Sequence, residues 1–108
     1  MWASWCRPCR KGMPRIDALA RRTPAAAFVA ISIDEDEAAA RRFLAEVPLD
    51  TSVALDAEQT TTNEPLLIVE VPTILVVDAA GIVRLRVDEP DGAGYAEVER
   101  LVAELVGQ

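Results

Sequence analysis

Met1-Trp2-Ala3-Ser4-Trp5-Cys6-Arg7-Pro8-Cys9-Arg10-Lys11-Gly12-Met13-Pro14 holds both cysteines of a 108-residue chain, behind two tryptophans and among basic side chains. Two thiols three positions apart at a helix start lie on one side of it and can bridge with little backbone movement. The positive end of the helix dipole favours thiolate over thiol, and Arg7, Arg10 and Lys11 add full charges around the same sulfurs. That is the setting of a reactive cysteine rather than of a buried structural one.

The rest of the molecule has the opposite charge. Residues 1–22 carry six basic groups against Asp17, a local balance of +5 within a net charge of −7, which leaves −12 for the remaining 86 residues. Such a surface has no footprint for nucleic acid. With 51% hydrophobic residues the chain can bury a core as one domain, residues 1–108. No apolar run reaches the ~20 residues that a membrane-spanning helix needs.

Outward from the cysteines, Cys9, Met13, Ile16 and Ala20 recur at helical spacing, which predicts a first helix over Cys6 to Arg22, bent at Pro14 and ended by Thr23-Pro24. The apolar run from Ala25 to Ile33 reads as a strand covered on both faces. Acids from Asp34 to Glu37 open a second helix with Ala40, Phe43, Leu44 and Val47 on its inner face, stopped by Pro48. Val53 to Leu55 reads as a short extended piece, and Gln59 to Asn63 as a turn or helical fragment. Leu66 to Val71 leads to Pro72-Thr73. Ile74 to Val77 and Ile82 to Val87 then form a hairpin around Asp78-Ala79-Ala80-Gly81. Asp91-Gly92 breaks the chain before a last amphipathic helix carrying Val98, Leu101, Val102, Leu105 and Val106.

This order, with Cys-x-x-Cys at the first helix start, resembles the thioredoxin-like superfamily, and within it the TlpA-like (redoxin) thiol–disulfide oxidoreductases. Three pieces carry the resemblance: Trp2 to Cys9 with Pro14 downstream, Phe28 to Asp34 before an acidic helix start, and Val71-Pro72-Thr73 before the hairpin. It implies an α/β fold of three layers, a mixed sheet flanked by helices. It also implies exchange of dithiol and disulfide with protein substrates, with no cofactor beyond the Cys6–Cys9 disulfide and with an upstream redox partner. Cys6 would be the exposed nucleophile and Cys9 the buried resolving thiol. Pro72 would be a cis-proline facing the disulfide, with Val71 and Thr73 beside the substrate. Trp5, Arg7 and Pro8 would support the site, Trp5 as a partly exposed platform and Arg7 by making the couple more oxidising. Trp2 belongs to the core. Relatives that work in the cell envelope favour an extracytoplasmic setting over a cytoplasmic one.

The chain departs from the family pattern in three places. Gly12 stands where a glutamate is common, at a cost of about 1 kcal/mol for glycine inside a helix. Glu70 stands two before Pro72, where glycine is usual, and would raise the cysteine pKa values if it faced the sulfurs. The family also has a central strand immediately before Trp2. Its absence would leave a slot of about 10 Å, two strand spacings, lined by unpaired backbone groups. We therefore expect a thioredoxin-like domain truncated at its N-terminus.

Other readings fit the residues less well. A peroxiredoxin would show Thr-x-x-Cys, but Ala3 lies three before Cys6. A purely structural disulfide across so short a loop would constrain the unfolded chain little. With no histidine and no third cysteine, a tetrahedral zinc site would need two chains. A redox-inactive binding module, or a non-functional fragment, is the alternative from a different class.

Overall fold

Cys6, in extended backbone just after the turn at Ser4 and Trp5, caps the first helix, α1 (Arg7–Arg21), its Sγ accepting the Cys9 amide at 3.2 Å. Pro8 lies in the first turn, where a missing N–H costs nothing, and α1 runs on through Pro14. The computed structural model describes residues 1–59 and 70–107. The expected turn or helix at Gln59–Asn63 and the approach from Leu66 to Val69 therefore lie mostly outside the described residues.

After α1 come β1 (Val29–Ser32), α2 (Glu37–Glu46) and β2 (Ser52–Leu55). The two strands run parallel, Val29 opposite Ser52 and Ser32 opposite Leu55. The strand is shorter than the apolar run that predicts it, because Ala25 and Ala27 have exposed small side chains with little preference for a pleated sheet. Then β3 (Thr73–Val77) and β4 (Val83–Asp88) pair antiparallel, with an irregularity between Val76 and Val77. Gly81 at φ 84° closes their turn in a conformation that a side chain would disfavour. The break at Asp91-Gly92 is in fact the start of α3 (Gly92–Val106), where Asp91 Oδ1 accepts the Gly94 amide at 2.8 Å.

These strands do not form one sheet. Among the described residues they make two two-stranded sheets, β1–β2 and β3–β4, joined across the middle by Met1 and Trp2. The Trp2 amide donates to Ile31 O at 2.9 Å, and Trp2 O accepts from Ile33 at 2.9 Å. On the other side Met1 O accepts the Thr73 amide at 3.3 Å, and the Met1 nitrogen donates to Thr73 O at 2.8 Å. Beyond Met1, between β1 and β3, opens an apolar cleft of about 870 Å³ roofed by α1 and α3.

Two buried clusters hold the elements together. Trp2, Ala3, Cys6, Cys9, Ile33, Ala40, Phe43 and Val71 form one, and Leu19, Val76, Val98 and Val102 form the other. The Trp2 and Phe43 rings meet at 4.8 Å between centroids, and the Arg10 guanidinium covers the same Phe43 ring at 4.9 Å. Asp17 ties α1 to the segment before β2. Burial alone would raise its pKa, yet the Thr51 hydroxyl, the Asp50 and Thr51 amides and the Arg21 guanidinium hold it below the ordinary carboxylate value.

Candidate active site

Cys6 and Cys9 are joined as a disulfide at the start of α1, with their Cα atoms 5.3 Å apart. Cys9 is 0% exposed and Cys6 5%, so both residues are buried. The Cys6 residue is thus far less open than the reading of an exposed nucleophile implies. The cause is its packing: Cys6 shares a buried cluster with Trp2, Ala3 and Val71 while its sulfur serves as the helix cap.

The Val71–Pro72 peptide bond is cis, and Val71 packs into the same buried cluster as both cysteines. The chain thus brings together pieces more than sixty positions apart. Thr73 is 0% exposed, and its groups are committed inward. Its hydroxyl donates to Glu70 O at 2.6 Å and lies 3.0 Å from Asp88 Oδ1, while its amide and carbonyl both bond Met1. Glu70 is exposed. Around the disulfide the outer rim is Trp5, 69% exposed, with Arg7 and Pro8 also exposed on the first turn of α1.

The brace on the loop ahead of Cys6 has no signal in the sequence. Asp34 reads there as a complement to the second helix, but Asp36 takes that place, its side chain accepting the Ala38 amide at 2.9 Å. Asp34 is buried at the end of β1 and accepts the Ser4 amide at 2.9 Å, the Ser4 hydroxyl at 2.6 Å and the Ser32 hydroxyl at 2.8 Å. It fixes the turn carrying Trp5 against β1. Thirty positions separate Ser4 from Asp34, so no local pattern announces the pair.

Gly12 has a tertiary reason. A Cβ there would overlap the Tyr95 hydroxyl, which lies directly on α1 from α3. Burial raises the Tyr95 pKa, with the Arg15 guanidinium 5.4 Å from its ring centroid pulling the other way. Arg15 in turn forks onto Glu99 at 2.7 and 3.1 Å. The glycine therefore lets α3 close over α1 one turn below Cys9. Among the described residues no group of three acidic, histidine or cysteine side chains is placed to hold a metal ion. Nor is any described helix long and apolar enough to cross a membrane.

A family model described as thioredoxin-like matches residues 1–83. The chain belongs to the thioredoxin-like family. It is 30% identical over 82 residues to the thiol-disulfide oxidoreductase ResA of a Bacillus cereus strain, an alignment covering 74% of this chain and 47% of that one. The chain thus spans about half the length of the curated relatives it matches. Among solved structures, one described as a thiol:disulfide interchange protein DsbE from Chlorobium tepidum superposes with a TM-score of 0.91 at 30% identity, over 98% of this chain and 76% of that one. A secreted disulfide oxidoreductase of Mycobacterium tuberculosis, homologous to DsbE of E. coli, gives 0.79 at 25% identity, over 96% and 77% of the two chains. The expected α/β thioredoxin-like fold is thereby shown.

Proposed function

We propose that this chain is a thiol–disulfide oxidoreductase that exchanges electrons with protein substrates through Cys6-Arg7-Pro8-Cys9. The observation that carries the reading is the Cys6–Cys9 disulfide at a helix N-terminus, packed with Val71 ahead of the cis Val71–Pro72 bond. In the reduced form, the helix dipole and Arg7 favour a Cys6 thiolate. That thiolate attacks one sulfur of a substrate disulfide, and the other substrate sulfur leaves as a thiolate and takes up a proton. Cys9, as its thiolate, then attacks Cys6 Sγ, closes the Cys6–Cys9 disulfide and releases the second substrate thiol. Two electrons and two protons pass to the substrate, and the reverse sequence oxidises it. An upstream dithiol or disulfide partner resets the couple.

The exposed Trp5, Arg7 and Pro8 form the surface a substrate meets, and the Val71 backbone offers strand-like pairing to it. Thr73, with its polar groups engaged inside the protein, supports Val71 and Pro72 from behind. A secreted relative supports an extracytoplasmic setting.

A dithiothreitol-driven insulin reduction assay tests the proposal. Cys6→Ser is expected to bring turnover down to the uncatalysed background, because the thiolate is the nucleophile. Equal activity of Cys6→Ser and the unmodified chain would remove the enzyme reading.

A further inference from the structure

Resting on the dithiol reading above, we infer that Arg7 and Lys11 form a recognition surface for acidic partners. The proteins it selects carry carboxylates within a few residues of their own reactive cysteine. Among the described residues, nine of the eleven basic side chains are ion-paired to carboxylates. The two without such a partner are Arg7 and Lys11. Both are exposed, four positions apart on the first two turns of α1, the same turns that carry the disulfide.

A shortage of acids is not the cause, because the chain has 18 acidic side chains against those eleven cations. Arg10, between the two in sequence, is taken by Glu46 at 2.9 Å while its guanidinium covers Phe43. Local structure does not favour the pair either. Arg7 opens α1, where the helix dipole disfavours a cation, and no acid stands in that turn. Like charges at i and i+4 also repel each other. Arg7, next to Cys6 in the chain, favours the thiolate there. Lys11 carries the positive strip a turn further along the helix. Two cations held where the fold gains nothing from them, beside the disulfide, are placed for an incoming anion.

The surroundings suit a protein segment. Trp5, two positions before Arg7 and 69% exposed, offers an apolar anchor of the kind that dominates interfaces. A partner lying across Cys6 and pairing with the Val71 backbone brings the residues that flank its cysteine within reach of these long side chains. Aspartate or glutamate there gains charge-assisted hydrogen bonds, and lysine or arginine is repelled. The net charge of −7 opposes an acidic partner only at long range. At physiological salt such fields decay over about 8 Å, so the nearest charges decide at contact.

The test uses three oxidised peptides, Glu-Glu-Cys-Ser-Gly-Cys-Glu-Glu and its all-Lys and all-Gln counterparts at the four flanking positions. The rate constant for oxidation of the reduced chain by each is read by acid quench and mass spectrometry. Each value is divided by that of the same peptide with dithiothreitol, which removes the peptide's own reactivity. The unmodified chain should prefer the Glu peptide over the Lys peptide, and 0.5 M salt should shrink the preference. Lys11→Glu should lower the Glu-to-Lys ratio by at least about fivefold, and Lys11→Arg should keep it. Equal rates with the Glu and Lys peptides, or a Lys11→Glu change that moves both rates alike, would overturn the inference, since an effect on Cys6 alone leaves the ratio untouched. Oxidation by the Gln peptide, lost in Cys6→Ser, reports the exchange chemistry itself, so failure of the charge preference is distinct from failure of the dithiol reading.

Discussion

Cys9→Ser is expected to convert the chain into a trap that holds its substrate at Cys6. Cys6 would still attack a substrate disulfide, but the group that releases the product would be gone. In the folded chain Cys9 is bonded to Cys6 and fully buried, so it reaches that one sulfur and no substrate directly. Well-oriented intramolecular groups act at effective molarities on the order of 10⁵–10⁸ M. Millimolar external thiol cannot replace such a partner. Turnover should therefore fall by more than about 100-fold, while a covalent one-to-one adduct accumulates that reducing agent cleaves. The adduct should be absent when Cys6 is also serine. Turnover within twofold of the unmodified chain would mean that Cys9 is not the resolving thiol.

The second large effect is expected at Trp2. This residue is 1% exposed, packs its ring on Phe43 and bonds its backbone to Ile31 and Ile33 beside the site. Trp2→Ala empties a large buried volume and should cost about 3–5 kcal/mol. That is a large fraction of a typical domain's stability of about 5–15 kcal/mol. The melting temperature should drop by roughly 15 °C or more. Trp2→Phe is the informative partner, because the buried indole Nε1 has no hydrogen-bond partner among the described residues. Phenylalanine removes that unpaired donor and keeps most of the apolar contact, so its cost should stay under about 2 kcal/mol. If Trp2→Phe destabilises as much as Trp2→Ala, the role assigned to the ring in the core is wrong.

The sequence makes some of this legible and hides the rest for physical reasons. Cys6 and Cys9 are readable because their spacing at a helix start announces them locally, whereas the proline at position 72 is singled out only by the resemblance to the family. Element identity follows periodicity well, since Val83, Leu85 and Val87 alternate with arginines along β4 and the Val98–Val106 stripe keeps a helical period. Ends are less visible: a run of small alanines before β1 looks apolar without forming a strand, and Asp91-Gly92 looks like a break while serving as a cap. The Ser4–Asp34 brace, the Asp17 anchor and the fit of Tyr95 over Gly12 depend on contacts between distant segments, which periodicity does not encode. The low exposure of Cys6 has the same origin, because it comes from Val71 and Trp2 packing around a helix cap. Gly12, unfavourable when α1 is considered alone, becomes intelligible once α3 is placed against it.

The central claim is that Cys6 is the thiolate that attacks, and the pH dependence of its alkylation tests this most directly. The reduced chain would be treated with iodoacetamide across a pH series and the modified residue located by mass spectrometry. The account predicts that Cys6 is modified first, with a midpoint below the ordinary thiol value of about 8.5, while Cys9 stays protected in the folded protein. Modification of Cys9 ahead of Cys6, or a Cys6 midpoint at or above the ordinary thiol value, would contradict it.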